Sequence, residues 1–147
     1  VYAVASGTTV ALKDVPDPTF AEEMIGKGVA IIPTDGKVAA PVSGTVSMVF
    51  PTNHAVGLVD ENGVEVLVHI GIDTVSMKGE GFTGHVKQGD TVKAGDLMIE
   101  VDLDKVKEAG FNTIIPVIIT NTPSFTAVEG LAGKDVKVGD EVISITK

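Results

Sequence analysis

The sequence predicts an all-β fold, an antiparallel β-sandwich of barrel-like shape with one or two short helices. Aromatic residues make up only 4% of the 147 residues and Trp is absent, while Gly numbers 17 and Pro 7. The apolar stretches are short, Val-rich and bounded by turn residues, a mixture that suits a pleated sheet better than a long helix. The length matches one folded unit, so residues 1–147 are expected to form a single domain.

From the amino end, a helix is expected to start at Phe20, with Thr19 as its N-cap, Glu22 in the capping-box position and Gly26 at its end. Strand-like runs follow at 28–33, 44–50, 56–59, 64–70, 97–101, 114–120 and 142–145, each flanked by turn residues. A second helix is expected around 104–109, stopped by Gly110. Neither helix is long enough to organise the fold.

Eleven Lys plus Arg oppose 20 Asp plus Glu, a formal net charge of −9. A nucleic-acid or anionic-membrane binder would have to approach phosphate against that charge, so both classes are set aside and a basic partner surface is favoured. Hydrophobic residues reach 44%, yet no apolar stretch runs beyond a few residues; a core is available and a membrane span is not. The absence of Cys excludes disulfides, thiolate metal sites and thiol catalysis. The opening VYAVASGTTV lacks the basic start of a secretory signal, and a cytoplasmic protein is expected.

A short repeat recurs: Val86-Lys87-Gln88-Gly89-Asp90, Val92-Lys93-Ala94-Gly95-Asp96 and Val136-Lys137-Val138-Gly139-Asp140. Its plain explanation is a reused turn, in which Gly supplies positive φ and Asp hydrogen-bonds its own backbone. The turns also resemble those of biotinyl and lipoyl carriers, as does Ala40-Pro41-Val42-Ser43-Gly44. Such carriers display a Lys at a hairpin tip. Only Lys78, after Met77, offers a superficial match, and Gly79-Glu80-Gly81 follows it in place of a strand.

Residues 54–71, HAVGLVDENGVEVLVHIG, hold two of the three His. Asn62-Gly63 between strand-like runs signals a two-residue hairpin turn. That turn sets Leu58 opposite Leu67, and Val56 opposite His69. Side chains repeat every second residue, so His54 and His69 fall on one face as diagonal neighbours about 7 Å apart at Cα. A slip of one residue would separate them, and this register sets Asp60 against Glu65, a like-charge pair.

Three readings of the pair compete. Each ring could simply pack and hydrogen-bond. The two could hold zinc, with Asp73 or Asp60 completing the set for a zinc-dependent hydrolase, but two donors are too few for a closed or catalytic site and His69-Ile70-Gly71 lacks a His-x-His pair. The third reading is a phosphohistidine site, which needs no bound metal or cofactor: one nucleophilic ring, a second donor for phosphoryl oxygens, and an element fixing each ring's tautomer. Leu67 shares the face of His69, His54 can donate, Gly71 permits close backbone approach, and the Thr52 hydroxyl can orient a ring.

At this point a resemblance becomes specific. The chain is similar, over almost its whole length, to the glucose-family enzyme IIA proteins of the bacterial phosphoenolpyruvate-dependent sugar phosphotransferase system. The motifs that carry it are Asp14-Val15-Pro16-Asp17, Gly28-Val29-Ala30-Ile31, Ala40-Pro41-Val42-Ser43-Gly44-Thr45 and Phe50-Pro51-Thr52-Asn53-His54-Ala55. Most specific is Val68-His69-Ile70-Gly71-Ile72-Asp73-Thr74-Val75, followed by Lys78-Gly79-Glu80-Gly81-Phe82.

The resemblance implies that His69 accepts a phosphoryl group from the phosphohistidine of the carrier protein HPr and passes it to a cysteine of an enzyme IIB domain. His54 would stabilise the phosphoryl group and Thr52 would orient a site histidine. Asp17 and Asp73 would flank the pocket, with Phe20, Phe50 and Leu67 as the apolar docking rim. Leu67 and Ile70 stand where the family often has an aromatic residue. The resemblance also implies regulatory binding of other proteins, in some cases through zinc held by His54 and His69. His85 lies outside the matched motifs and is assigned no role.

Overall fold

The structure, a computed structural model, describes residues 1–146. Among these, the strands in chain order are β1 (Gly7–Ala11), β2 (Lys27–Pro33), β3 (Lys37–Ala39), β4 (Gly44–Val49), β5 (Ala55–Asp60), β6 (Glu65–His69) and β7 (Phe82–Gly84). They continue as β8 (Thr91–Val92), β9 (Leu97–Val101), β10 (Ile115–Ile119), β11 (Ala127–Gly130), β12 (Asp135–Val136) and β13 (Ile143–Thr146). The two helices are α1 (Pro18–Ala21) and α2 (Leu103–Glu108). Every predicted run becomes a strand within two residues of its expected ends. Sequence reading passed over β1, β3, β7, β8, β11 and β12 because these segments are short or too polar to show an apolar run.

An eight-stranded antiparallel sheet, ordered β12-β1-β2-β10-β6-β5-β4-β8, packs on a three-stranded sheet, β3-β9-β7, with β11 and β13 as a separate pair. This is the expected antiparallel sandwich. Its core is one cluster of buried side chains that joins Val29, Val68 and Val117 of the large sheet to Val38, Met98 and Ile99 of the small one. Alternation sends Ala30 and Ile118 to the other face, where Leu12, Val15 and Phe20 cover them. Strands β2 and β10 are thus buried on both faces, which explains why 114–119 reads as a continuous apolar run.

Helix α1 begins two residues before the expected point. Asp17, not Thr19, is the N-cap; its carboxylate accepts from the Thr19 N–H at 2.9 Å and Pro18 takes the first helical position. The helix also stops early, at Glu22, and Glu23 turns the chain at φ 57° well before Gly26. Helix α2 is capped by Asp102, whose carboxylate accepts from the Lys105 N–H at 3.2 Å. Gly110 follows it at φ 86°.

The three repeats fold alike. Gly89, Gly95 and Gly139 take φ 93°, 96° and 99°, and the carboxylates of Asp90, Asp96 and Asp140 accept from the N–H of Lys87, Lys93 and Lys137 at 3.0, 2.9 and 2.9 Å. They are structural turns, each closed by its own Asp.

The β5–β6 hairpin corrects the expected register. Its loop has three residues, 61–63: the Gly63 N–H donates to the Asp60 carbonyl at 3.2 Å, the Asp60 N–H to the Val64 carbonyl at 3.0 Å, and Gly63 alone of the three takes positive φ, 81°. The Asp60 carboxylate accepts from the Asn62 and Val64 N–H groups at 2.8 and 2.9 Å. This longer loop shifts the pairing by one residue, so Val56 faces Val68, Leu58 faces Val66, and His69 faces Ala55. It also relieves the charge conflict of the expected register, because Glu65 now faces Val59 while Asp60 caps the turn.

Candidate functional site

Strict alternation in the observed register would put His54 and His69 on opposite faces. Their rings meet nonetheless, with centroids 5.1 Å apart and planes at 79°. The face rule holds only within a strand, and His54 lies one residue before β5, entered through Asn53 at φ 59°. Its backbone stays anchored, since its carbonyl accepts from the Ile70 N–H at 2.6 Å. The expected juxtaposition therefore arises from chain reversals at the strand ends and not from diagonal pairing.

Each ring is held by a second partner. Phe50 meets His54 edge-on at 5.0 Å, and Phe20 tilts against His69 at 5.1 Å. The Thr52 hydroxyl hydrogen-bonds Nδ1 of His54. Nδ1 of His69 donates to the Gly71 carbonyl at 2.7 Å. A carbonyl only accepts, so in the neutral ring the proton sits on Nδ1 and Nε2 keeps its lone pair. The carbonyl as tautomer-setter was missed from sequence; its one signal was a glycine two residues after a histidine, and at φ 79° Gly71 is the kind of residue that turn requires.

Burial lowers the His54 pKa to about 4, with the neighbouring His69 ring adding to the shift. Burial also lowers that of His69, while the hydrogen bond to Gly71 and the charges of Asp17 and Asp73 act the other way. Both rings are neutral near pH 7. A buried neutral His binds its proton later than the same residue in the unfolded chain, so its contribution to stability is present above pH 6.5 and is lost as the pH falls toward 4. Thermal melts of the protein and of His54→Gln are expected to diverge across that window, the protein losing up to about 3 kcal/mol more on acidification than the variant. The two proteins carry the same carboxylates, so parallel profiles would refute the assignment.

The family model for the phosphoenolpyruvate-dependent sugar phosphotransferase system, EIIA 1, matches residues 1–125. The chain belongs to this family. It is 51% identical, over 140 residues, to the PTS system glucose-specific EIIA component of Halalkalibacterium halodurans, covering 95% of this chain and 81% of that protein. It is 52% identical over 129 residues to the PTS system glucose-specific EIICBA component of Streptococcus pneumoniae, covering 88% of this chain but 18% of that protein. The solved glucose permease IIA from Mycoplasma capricolum superposes with a TM-score of 0.91 at 42% identity, covering 97% of this chain and 92% of that one. As an EIIA component, the chain is a phosphotransferase part that relays a phosphoryl group in sugar uptake.

Within this EIIA fold the remaining predicted residues fall as follows. Asp17 caps α1 beside Phe20, and Asp73, at φ 60°, opens the 3-10 turn Thr74–Met77. Phe20 is buried under α1, whereas Phe50 and Leu67 are half-buried, Leu67 on the outer face of β6 with His69. Ile70 is buried in the core and not on the rim. His85 pairs with Glu100 at 2.8 Å, both side chains exposed. Lys78 ends the 3-10 turn and does not sit on a hairpin tip, which leaves the carrier reading without support. Among the described residues no His, Asp and Glu side chains gather in groups of three or more, so the hydrolase reading finds no support either. Among the described residues no helix is long and apolar enough to cross a membrane.

Proposed function

We propose that Nε2 of His69 is the phosphoryl acceptor of this EIIA protein. The observation that carries this is the hydrogen bond from His69 Nδ1 to the Gly71 carbonyl, which leaves Nε2 as the basic nitrogen of a neutral ring. In the first step its lone pair forms an N–P bond as the N–P bond of the phosphohistidine on HPr breaks, and the HPr ring recovers its lone pair. In the second, a cysteine thiolate of an enzyme IIB domain takes the phosphoryl group and His69 Nε2 regains its lone pair. With the Thr52 hydroxyl donating to Nδ1, His54 presents Nε2–H to the phosphoryl oxygens.

Phe50 and Leu67 form the accessible part of the docking rim in this reading, with Phe20 buried behind it against His69, and Asp17 and Asp73 add negative charge that favours a basic partner. The EIICBA relative joins an EIIA part to other components in one chain, which supports an IIB partner. Glucose is the sugar to test first, from the names of the relatives. The chain acts as one cytoplasmic domain, and its unphosphorylated face would serve regulatory targets, including any bridged by a zinc ion that His54 and His69 would hold.

Incubation with phosphoenolpyruvate, enzyme I and HPr, followed by intact-mass measurement, is expected to add one acid-labile, base-stable phosphoryl group. No added mass would defeat the proposal.

A further inference from the structure

We propose that Thr74 is a positioning residue for the phosphoryl transfer, acting through the Gly71 carbonyl on the tautomer of His69. The inference rests on His69 as the acceptor and extends it to the device that keeps the acceptor nitrogen free of a proton.

Beyond His69 the chain leaves the sheet, and with Gly71 at φ 79° and Asp73 at φ 60° it reverses twice within three residues. No strand partner fixes the peptide planes here. Instead, two consecutive peptides are each clamped at both ends. In the Ile70–Gly71 peptide, the N–H donates to the Ile114 carbonyl at 3.0 Å and the carbonyl accepts from the Thr74 hydroxyl at 2.5 Å. In the Gly71–Ile72 peptide, the N–H donates to the Asn112 carbonyl at 3.1 Å and the carbonyl accepts from His69 Nδ1 at 2.7 Å.

Of these four partners, Thr74 is the only side chain besides the histidine itself. It is completely buried, and its Cγ2 methyl lies 2.5 Å from where a Cβ on Gly71 would stand, so its body fills the space under the glycine while its hydroxyl restrains the preceding carbonyl. A glycine with no Cβ has wide freedom to rotate. Remove the hydroxyl, and the first peptide can tip, taking the Gly71 carbonyl off the axis of the His69 N–H. The neutral ring then populates its other tautomer, with the proton on Nε2, where a lone pair must be for attack on phosphorus.

The test compares Thr74→Val, which keeps the branched shape and loses the hydroxyl, with Thr74→Ser, which keeps the hydroxyl. Long-range 1H–15N spectra of the unphosphorylated chain read the His69 tautomer without any transfer step, and stopped-time phosphorylation by phospho-HPr reads the rate. Thr74→Val is expected to populate the Nε2–H tautomer and slow phosphoryl uptake about tenfold, the scale of one neutral hydrogen bond. Thr74→Ser is expected to restore the protein's own spectrum and rate. Should Val crowd the Ile70 carbonyl and prevent folding, Thr74→Ala gives the same comparison. A hydroxyl-free variant that folds and keeps the Nδ1–H spectrum overturns the proposal. Phosphate mapping to a residue other than His69 would instead overturn the acceptor assignment, and the spectra would still report on the clamp.

Discussion

His69→Gln is expected to lose phosphoryl uptake from phospho-HPr by about 10⁴-fold or more, roughly 5.5 kcal/mol of transition-state free energy. The reason is chemical. A glutamine side chain can hydrogen-bond the Gly71 carbonyl through its amide, but it has no basic nitrogen to attack phosphorus. The fold should persist, because His69 closes β6 on the outer face, half-exposed, while the core-facing neighbours Val66 and Val68 are untouched. Intact-mass analysis after incubation with the phosphorylating components is the check, with a circular-dichroism melt to confirm folding. Uptake at the normal rate in this variant would remove His69 from the mechanism.

His54→Gln is expected to split the two transfers. The first has a neutral nucleophile, the His69 imidazole, and should slow by less than about tenfold. The second brings a thiolate toward a phosphoryl group that already carries negative charge, and repulsion between them must be offset by a donor on the phosphoryl oxygens. Loss of the His54 N–H should therefore cost onward transfer about 10²- to 10³-fold, the range for deleting one well-aimed donor. Single-turnover transfer from the phosphorylated variant to an isolated IIB domain measures this directly. Normal onward transfer would leave His54 as a packing residue only.

How much of this was legible beforehand depends on where each instruction is written. The strands were readable because their apolar runs are local, and β10 stood out because burial on both faces leaves no polar alternation. The hairpin was placed correctly but its register was not. Asn62-Gly63 carries the signature of a two-residue turn, yet the Asp60 carboxylate, reaching forward to two N–H groups, stabilises a three-residue one. The same competition misplaced the start of α1, where Asp17 outbids Thr19 as the cap. The pairing of the rings was expected for the wrong geometric reason: it depends on left-handed turns at Asn53 and Gly71, of which only the glycine advertises itself. The clamp on Gly71 was invisible, since its Asn112 and Ile114 carbonyls are backbone atoms that any residue would supply.

Strand β10 has a consequence for how the molecule comes into being. It lies between β2 and β6, pairing Val117 with Val29 on one side and with Val68 on the other. Until residues 115–119 emerge during synthesis, the two halves of the large sheet have no seam, and the Asn112 and Ile114 carbonyls just before it, which grip the Gly71 turn, are not yet held in place. Closing such distant segments is entropically slow, so the nascent chain must keep two unfinished sheet edges from aggregating before its chemistry can begin.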